Sequence, residues 1–276
     1  MRVAVTGASG FVGRHVLMEL EKRGIQTVAT STAAGERANT PAGSARWLVL
    51  DLQHPPQNAL AALGHPDVVI HLAWAGLPHY QSLHHMETEL PAQYRFIRQL
   101  VGDGLQSLVT VGTCFEYGFQ YGPLAANVQT RPNNAYGLAK DTLHRQLQLL
   151  KTQHPYSLTW ARLFYMYGEG QPETSLLPLL KKAVAEGQAV FNMSQGEQLR
   201  DYLPVTEVAQ RLVDLAIDPQ DRGAVNVCSG APISVRRLVE NWIKENDWQI
   251  ELNLGHFPYP DYEPMAFWGT DSPPRP

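Results

Sequence analysis

The chain has 276 residues, 44% of them hydrophobic, and a formal net charge of -4. That length suits one large α/β domain, or a core domain with a smaller lobe, and the charge gives no general attraction to nucleic acid or to an anionic membrane. No apolar run approaches the roughly 18 residues of a membrane span, and the two cysteines, Cys114 and Cys228, set up neither a disulfide framework nor metal-ligand spacing. The expectation is a cytoplasmic protein with no signal peptide, no metal, no nucleic-acid partner and no membrane partner.

Val3, Ala4 and Val5 form a short apolar run, and Gly7, Gly10 and Gly13 follow at three-residue spacing. Val12, Val16, Leu17 and Leu20 then recur with a helical period, and Gly24 marks the stop. A strand, a glycine turn and a helix in this order can cradle a dinucleotide. The first glycine permits the turn, the second admits the pyrophosphate, and the third lets helix and strand pack closely. The cofactor candidates here are Gly7, Ser9, Gly10, Phe11, Val12, Gly13 and Arg14.

Residues 25–30 read as a second strand. At its end stand Thr30, Ser31 and Thr32, where an acid would hold the adenosine ribose of NAD. The missing acid, with Arg14 and Arg37 nearby, leans towards NADP(H) with NAD(H) still open; both arginines read equally well as solvated charges. Residues 46–50 make a third strand, followed by Asp51 and Leu52. Residues 67–72 make a fourth, with Leu72, Ala73 and Trp74 at its end. Ligands of doubly wound sheets bind at the carboxyl ends of strands, so these positions face the cofactor, although Asp51 also suits a turn or cap. Residues 84–101 read as a helix that Pro91 starts or kinks.

Residues 107–111 are a fifth strand leading into the run 112–118. A helix opens at Ala135 and runs to about residue 150, and residues 157–162 are a sixth strand. Strands alternating with helices imply an α/β fold, a Rossmann-type doubly wound parallel sheet over residues 1–164. Residues 165–276 read as a smaller C-terminal substrate lobe whose segments can cross back to the first domain. It holds a helix near 174–186, short strands near Ala189 and Ala224, and an irregular tail packed by Tyr259, Tyr262, Phe267 and Trp268.

Tyr136 and Lys140 lie four apart at a helix start, so both project to one face. A free tyrosine titrates near ~10, and lowering that by about three units takes about 4 kcal/mol of preference for the phenolate. A nearby ammonium and an oxidised nicotinamide supply charges of the right sign. Tyr136 is then the acid/base, Lys140 its partner and a ribose contact, and Thr113 the hydroxyl that orients a substrate oxygen. Alone, such a Tyr and Lys are an ordinary surface pair; the glycine turn and the strand-end hydroxyl change the reading. Cys114 reads as a substrate contact or a small loop residue. Glu116 reads as a sugar-hydroxyl contact or a solvent-facing acid. His79, His84 and His85, with Tyr80, read as surface or substrate-contact residues.

Residues 6–13, Asp51-Leu52, His71-Leu-Ala73, Tyr136 with Lys140, and Arg162-Leu-Phe164 together resemble the extended short-chain dehydrogenase/reductase family. The resemblance continues in Gly196-Glu-Gln-Leu-Arg-Asp-Tyr-Leu-Pro-Val205 and Asn226-Val-Cys-Ser-Gly230, so it covers nearly the whole chain. It implies a Rossmann fold, a nucleotide-sugar substrate, Thr113, Tyr136 and Lys140 in the catalytic places, and a homodimer formed through the helices holding residues 93–101 and 136–150. Cys114 and Phe115 stand where dehydratases of the family carry Asp-Glu, which argues against dehydration. Tyr165 stands where many members have a diphosphate-contacting Asn. An arginine expected near Tyr259 is missing, which leaves Arg200 as the phosphate candidate or as one half of an ion pair. Within the family the chain is most similar to dTDP-4-keto-6-deoxyhexose reductases, those forming dTDP-6-deoxy-L-talose first and dTDP-D-fucose formers next.

Overall fold

The computed structural model describes residues 1–32, 43–218, 220–259, 261 and 263–270; Arg37 and Tyr262 lie outside them. β1 (Arg2–Thr6) turns through Gly7 into α1 (Phe11–Lys22), and β2 (Gln26–Ser31), β3 (Arg46–Val49), α2 (Ala59–Ala62) and β4 (Val68–His71) follow. One π-helical turn over His85–Glu89 then feeds α3 (Leu90–Gly102). Pro91 sits in the first turn of α3, at the junction where the π-helical turn passes into the α-helix. β5 (Ser107–Thr113), β6 (Gly122–Ala125), α4 (Ala135–Leu150) and β7 (Ser157–Leu163) complete the part that the sequence reads as the Rossmann domain.

The remaining segments are β8 (Tyr165–Tyr167), α5 (Leu176–Ala185), β9 (Val190–Asn192), β10 (Leu199–Arg200), β11 (Tyr202–Pro204) and α6 (Val205–Ile217). After them come β12 (Gly223–Val227), β13 (Ile233–Ser234), α7 (Val235–Glu245), β14 (Glu251–Asn253) and β15 (Phe267–Thr270). The central sheet runs β12-β7-β5-β4-β1-β2-β3 with every pair parallel. Among the described residues it therefore has seven strands, one more than the sequence suggests. Residues 223–227, expected in the lobe, pair with β7 in register Gly223↔Thr159 to Val227↔Leu163. A five-residue strand carries no sign of which sheet it joins, and that is decided by packing at a distance.

Parallel strands must be covered on both faces. Phe96, Ile97 and Leu100 of α3, with Leu143 and Leu147 of α4, are buried on one face. Val16, Leu17 and Leu20 of α1, with Val208, Leu212 and Val213 of α6, are buried on the other. A separate core holds Leu180 of α5, Phe191 of β9, Leu238 and Trp242 of α7, and Ile250. The tail is less irregular than its prolines suggest, because Phe267 to Thr270 pair in parallel with Gly122 to Ala125.

The approach of α1 to β1 is set by Gly13, where a Cβ would lie 2.2 Å from Gly7 O and 2.7 Å from Ala8 Cα. Both neighbours are backbone and cannot rotate away. Gly13→Ala is expected to cost about 1–3 kcal/mol in a denaturant-unfolding measurement. Gly102→Ala, at a site with open space around it, should leave the midpoint nearly in place.

Candidate active site

The chain leaves β1 towards β2 on one side and comes back on the other through β4, so a crevice opens between the carboxyl ends of β1 and β4. The two ends touch there: a Cβ on Gly7 would lie 2.7 Å from Ala73 N. α1 starts at Gly10 with no side-chain cap and no acid in its first turn. Its leading amides and its dipole are thus available to an anion, and this end of the fold suits a dinucleotide pyrophosphate. Phe11 packs edge-on against His15 at 6.0 Å, and Val12 lies against the core beneath. Arg14 Nη2 reaches Ser9 O at 3.4 Å, its Nε has no partner among the described residues, and its guanidinium lies against Gly170.

At the end of β2, Ser31 is buried and Thr32 is exposed; Arg37 is outside the described residues. Asp51 takes the turn reading. Its exposed carboxylate accepts from Gln53 N at 2.9 Å and pairs with His54 Nδ1 at 2.9 Å, which together hold it below the usual carboxylate range. Leu52 is core, and Leu72 is partly buried against the opposite face.

Asn134 Oδ1 accepts from Gly137 N at 2.8 Å and caps α4, fixing where the helix begins and hence where Tyr136 and Lys140 point. Lys140 Nζ donates to Val111 O at 3.0 Å, lies 4.0 Å from the Trp74 ring centroid, and is 5.9 Å from that of Tyr136. Thr113, the last residue of β5, has its side chain near Tyr136, where the hydroxyl favours the phenolate against the larger effect of burial. Strand, loop and helix therefore bring Thr113, Tyr136 and Lys140 together, although the sequence spreads them over 28 positions.

The titration of this group differs from expectation. Burial, more than any neighbouring charge, pushes Tyr136 above its ordinary value instead of below it. Burial likewise brings Lys140 down to about 7, against the pull of Glu116 and Glu89. With the ammonium 5.9 Å from the ring, the chain alone holds Tyr136 as the neutral phenol.

Four rings surround Tyr136: His85 at 5.2 Å, Tyr80 at 5.7 Å, Trp74 at 6.0 Å and Phe115 at 6.4 Å. Tyr136 N also donates to Tyr80 O at 2.9 Å. His85, read from the sequence as a surface or substrate-contact residue, is fully buried and serves this wall. Behind it runs a buried polar chain that the sequence reading missed. Thr6 Oγ1 meets His71 Nδ1 at 2.8 Å, and His71 Nε2 meets Gln93 Oε1 at 2.7 Å. Gln93 Nε2 then donates to Glu89 Oε2 at 2.9 Å. The same Glu89 oxygen accepts from Ala75 N at 3.1 Å, fixing the loop after β4. Burial holds His71 down to about 3, so it is a neutral link. Glu89 and Gln93 are four apart on one helix face, which was the available sign.

Of three substrate-contact candidates, Glu116 meets neither of its expected surroundings, Cys114 takes the loop-residue reading and Arg200 the ion-pair reading. Glu116 faces neither sugar nor solvent: it is fully buried, and its carboxylate accepts from Arg162 Nε at 2.6 Å, Trp160 Nε1 at 3.0 Å and Thr113 N at 2.8 Å. Cys114 packs with Tyr117, Leu124, Phe164 and Phe267, and burial pushes its thiol up, so no thiolate forms there. Arg200 is not a free cation. Its Nη2 and Nε hold Glu263 Oε2 at 2.8 and 3.2 Å, and its guanidinium covers the Phe267 ring at 4.7 Å. Tyr165 lies beside this pair, with its ring 5.4 Å from Tyr202. Among the described residues no group of three or more His, Cys, Asp or Glu is arranged to hold a metal ion, and no helix is long and apolar enough to cross a membrane.

Comparison with known proteins agrees with this geometry. The chain is 30% identical over 98% of its length, and 100% of the relative's, to dTDP-6-deoxy-L-talose 4-dehydrogenase (NAD(+)) of Aggregatibacter actinomycetemcomitans. It is 26% identical to dTDP-6-deoxy-L-talose 4-dehydrogenase (NAD(P)(+)) of Kitasatospora kifunensis, over 94% of this chain and 83% of that one. In fold it matches a UDP-glucose-4-epimerase from Stenotrophomonas maltophila solved with bound NAD, with a TM-score of 0.84 at 20% identity over 98% and 90% of the two chains. The profile that describes the NAD dependent epimerase/dehydratase family matches residues 3–228. A switch-point crevice, an uncapped glycine turn and a family profile spanning the whole central sheet agree on one assignment: the chain belongs to the NAD dependent epimerase/dehydratase family, enzymes of the extended short-chain dehydrogenase/reductase type.

Proposed function

We propose that the protein reduces the C4 ketone of a nucleotide-linked 4-keto-6-deoxyhexose, with dTDP-4-keto-L-rhamnose as substrate and dTDP-6-deoxy-L-talose as product. The observation that carries this reading is the meeting of Thr113, Tyr136 and Lys140 beside the switch point. The names of the two talose dehydrogenases support the choice of sugar. A bound dihydronicotinamide would supply the hydride. Residues 7–14 would hold its pyrophosphate, and Lys140 its nearer ribose. The rest is the work of this chain. Thr113 Oγ1 and the Tyr136 hydroxyl bracket the ketone oxygen, and the phenol, kept neutral by burial, gives its proton to that oxygen as the carbinol forms. Lys140 offsets the phenolate left behind. The four-ring wall excludes water and presents an apolar face, which suits a sugar that carries a methyl group at C6.

Residues 1–164 take the cofactor in this scheme and residues 165–276 the nucleotide sugar, with α6 and β12 returning to the central sheet. Arg200 can meet a phosphate only by sharing or releasing Glu263. NADPH is the preferred cofactor and NADH an accepted one, because Ser31 and Thr32 present no acid to a 2′-phosphate. Tighter NADPH than NADH binding by fluorescence titration is the expected result; equal affinities would remove the preference. Exposed Leu138 and Leu149 on α4 support a homodimer through that helix.

The test follows nicotinamide absorbance with dTDP-4-keto-6-deoxy-D-glucose, alone and with a 3,5-epimerase that makes the L-configured ketone. Oxidation of the cofactor only with the epimerase present is expected, and NMR of the product then separates talose from rhamnose. Oxidation with the D-sugar alone would point to a fucose-forming enzyme. No oxidation, with NAD retained through gel filtration, would point to a 4-epimerase.

A further inference from the structure

The Lys140 ammonium is held from two sides. On one it donates to the Val111 carbonyl at 3.0 Å; on the other it faces the Trp74 indole, 4.0 Å from the ring centroid. An ammonium over an aromatic face is attracted by the ring quadrupole, and the attraction needs the face, not the edge. What fixes the face is His85. Trp74 Nε1 donates to His85 Nδ1 at 3.1 Å, and the two rings lie nearly parallel, 28° apart with centroids 6.2 Å apart.

The tautomer follows from the partners. His85 Nδ1 accepts, so the proton is on Nε2, which meets the His79 carbonyl at 3.1 Å. Only the neutral Nε2–H form satisfies both ends. His79 belongs to the segment that carries Tyr80 over Tyr136, so one imidazole ties the platform under Lys140 to the wall over Tyr136. Nothing about bulk packing requires this. A leucine would keep the position apolar but would offer neither an N–H nor a π face.

We propose that Trp74 and His85 are a positioning pair, the indole backing the Lys140 ammonium and the imidazole locking the indole in place. Neither transfers a proton; both act through Lys140. The inference rests on the proposed role of Lys140 as the partner of Tyr136, and its test is chosen so that the two can fail separately.

The first readout does not depend on turnover. Lys140 of the intact protein is acylated with acetic anhydride across a pH series, and its modification is followed by peptide mass spectrometry. Glu116, Glu89, His71 and Tyr136 also face the ammonium and are unchanged in every variant compared. Trp74→Leu keeps the site apolar but removes the π face that favours the charged form, so the labelling midpoint should move to lower pH. His85→Ala should change the labelling curve of Lys140, and His85→Asn, which keeps an acceptor near the Nδ1 position, should restore most of it.

The second readout is the reductase assay. There, His85→Ala and Trp74→Leu should lower kcat on the order of 10- to 100-fold, as misplaced catalytic groups do, with KM held within about twofold. An unchanged Lys140 labelling curve in a Trp74→Leu protein that melts as the parent does would overturn the proposal. A shifted curve in a protein whose parent shows no reductase activity would leave the pair standing and remove the proposed reaction instead.

Discussion

Tyr136→Phe should lose between about 10² and 10⁴ of kcat while KM changes little, because the hydroxyl acts on the proton and not on binding. The substitution removes one oxygen from a side chain that is already packed among four rings, so the wall around it is conserved. The pH profile should carry the same message. Reduction needs the phenol protonated and the ammonium charged. Burial keeps the phenol protonated well above neutrality and brings Lys140 down to about 7. For Lys140 the charged form exists below that value and is lost above it. The rate of ketone reduction is therefore expected to fall as pH rises through about 7. A kcat of Tyr136→Phe within threefold of the parent, under conditions where chemistry limits the rate, would contradict the assignment of that hydroxyl.

The central sheet was legible because its signals are local. A strand of Val3, Ala4 and Val5, a glycine turn, and a helix with apolar residues every three or four positions name the β1–α1 unit without any tertiary information. The meeting of Thr113, Tyr136 and Lys140 was legible only in part. Their types and spacing are in the sequence, but the environment that sets their titration is not: the rings around Tyr136 come from 74, 80, 85 and 115, and no period links those numbers. The chain's own residues raise Tyr136 for this reason, whereas the expected lowering also counted the charge of an oxidised nicotinamide. Charge can be counted along a chain, whereas desolvation is a property of the folded surroundings. Glu116 and Arg200 were open for the same reason. Glu116 fits neither a sugar contact nor a solvent-facing acid, and Arg200 takes the ion-pair reading; their partners of opposite sign, Arg162 and Glu263, lie 46 and 63 positions away, where no sequence pattern points.

Glu116→Ala should be the most destabilising single change at this site, at about 3–5 kcal/mol, because it strands Arg162 as a buried charge without its counter-ion. Burial raises the Glu116 carboxyl, yet each neighbour bonded to it donates: Arg162 Nε, Trp160 Nε1 and Thr113 N. The carboxylate is the form that this geometry fits. Removing it also leaves the Trp160 and Thr113 N–H groups without an acceptor, and the capping box that sets the turn after Thr113 is lost. Urea unfolding of Glu116→Ala and of the double variant Glu116→Leu with Arg162→Met separates two reasons for keeping the pair. An apolar pair of similar volume often restores stability where a broken ion pair loses it. If the pair serves stability alone, the double variant should recover both the unfolding midpoint and kcat. Because Glu116 also accepts from Thr113 N and Trp160 Nε1, the expected result is partial recovery of the midpoint with kcat still depressed, since the Thr113 backbone loses the bond that fixes it and Phe115 N alone then holds the hydroxyl. The buried charge would then be kept for where it places a neighbouring hydroxyl, at a cost that a plain hydrophobic core would not carry.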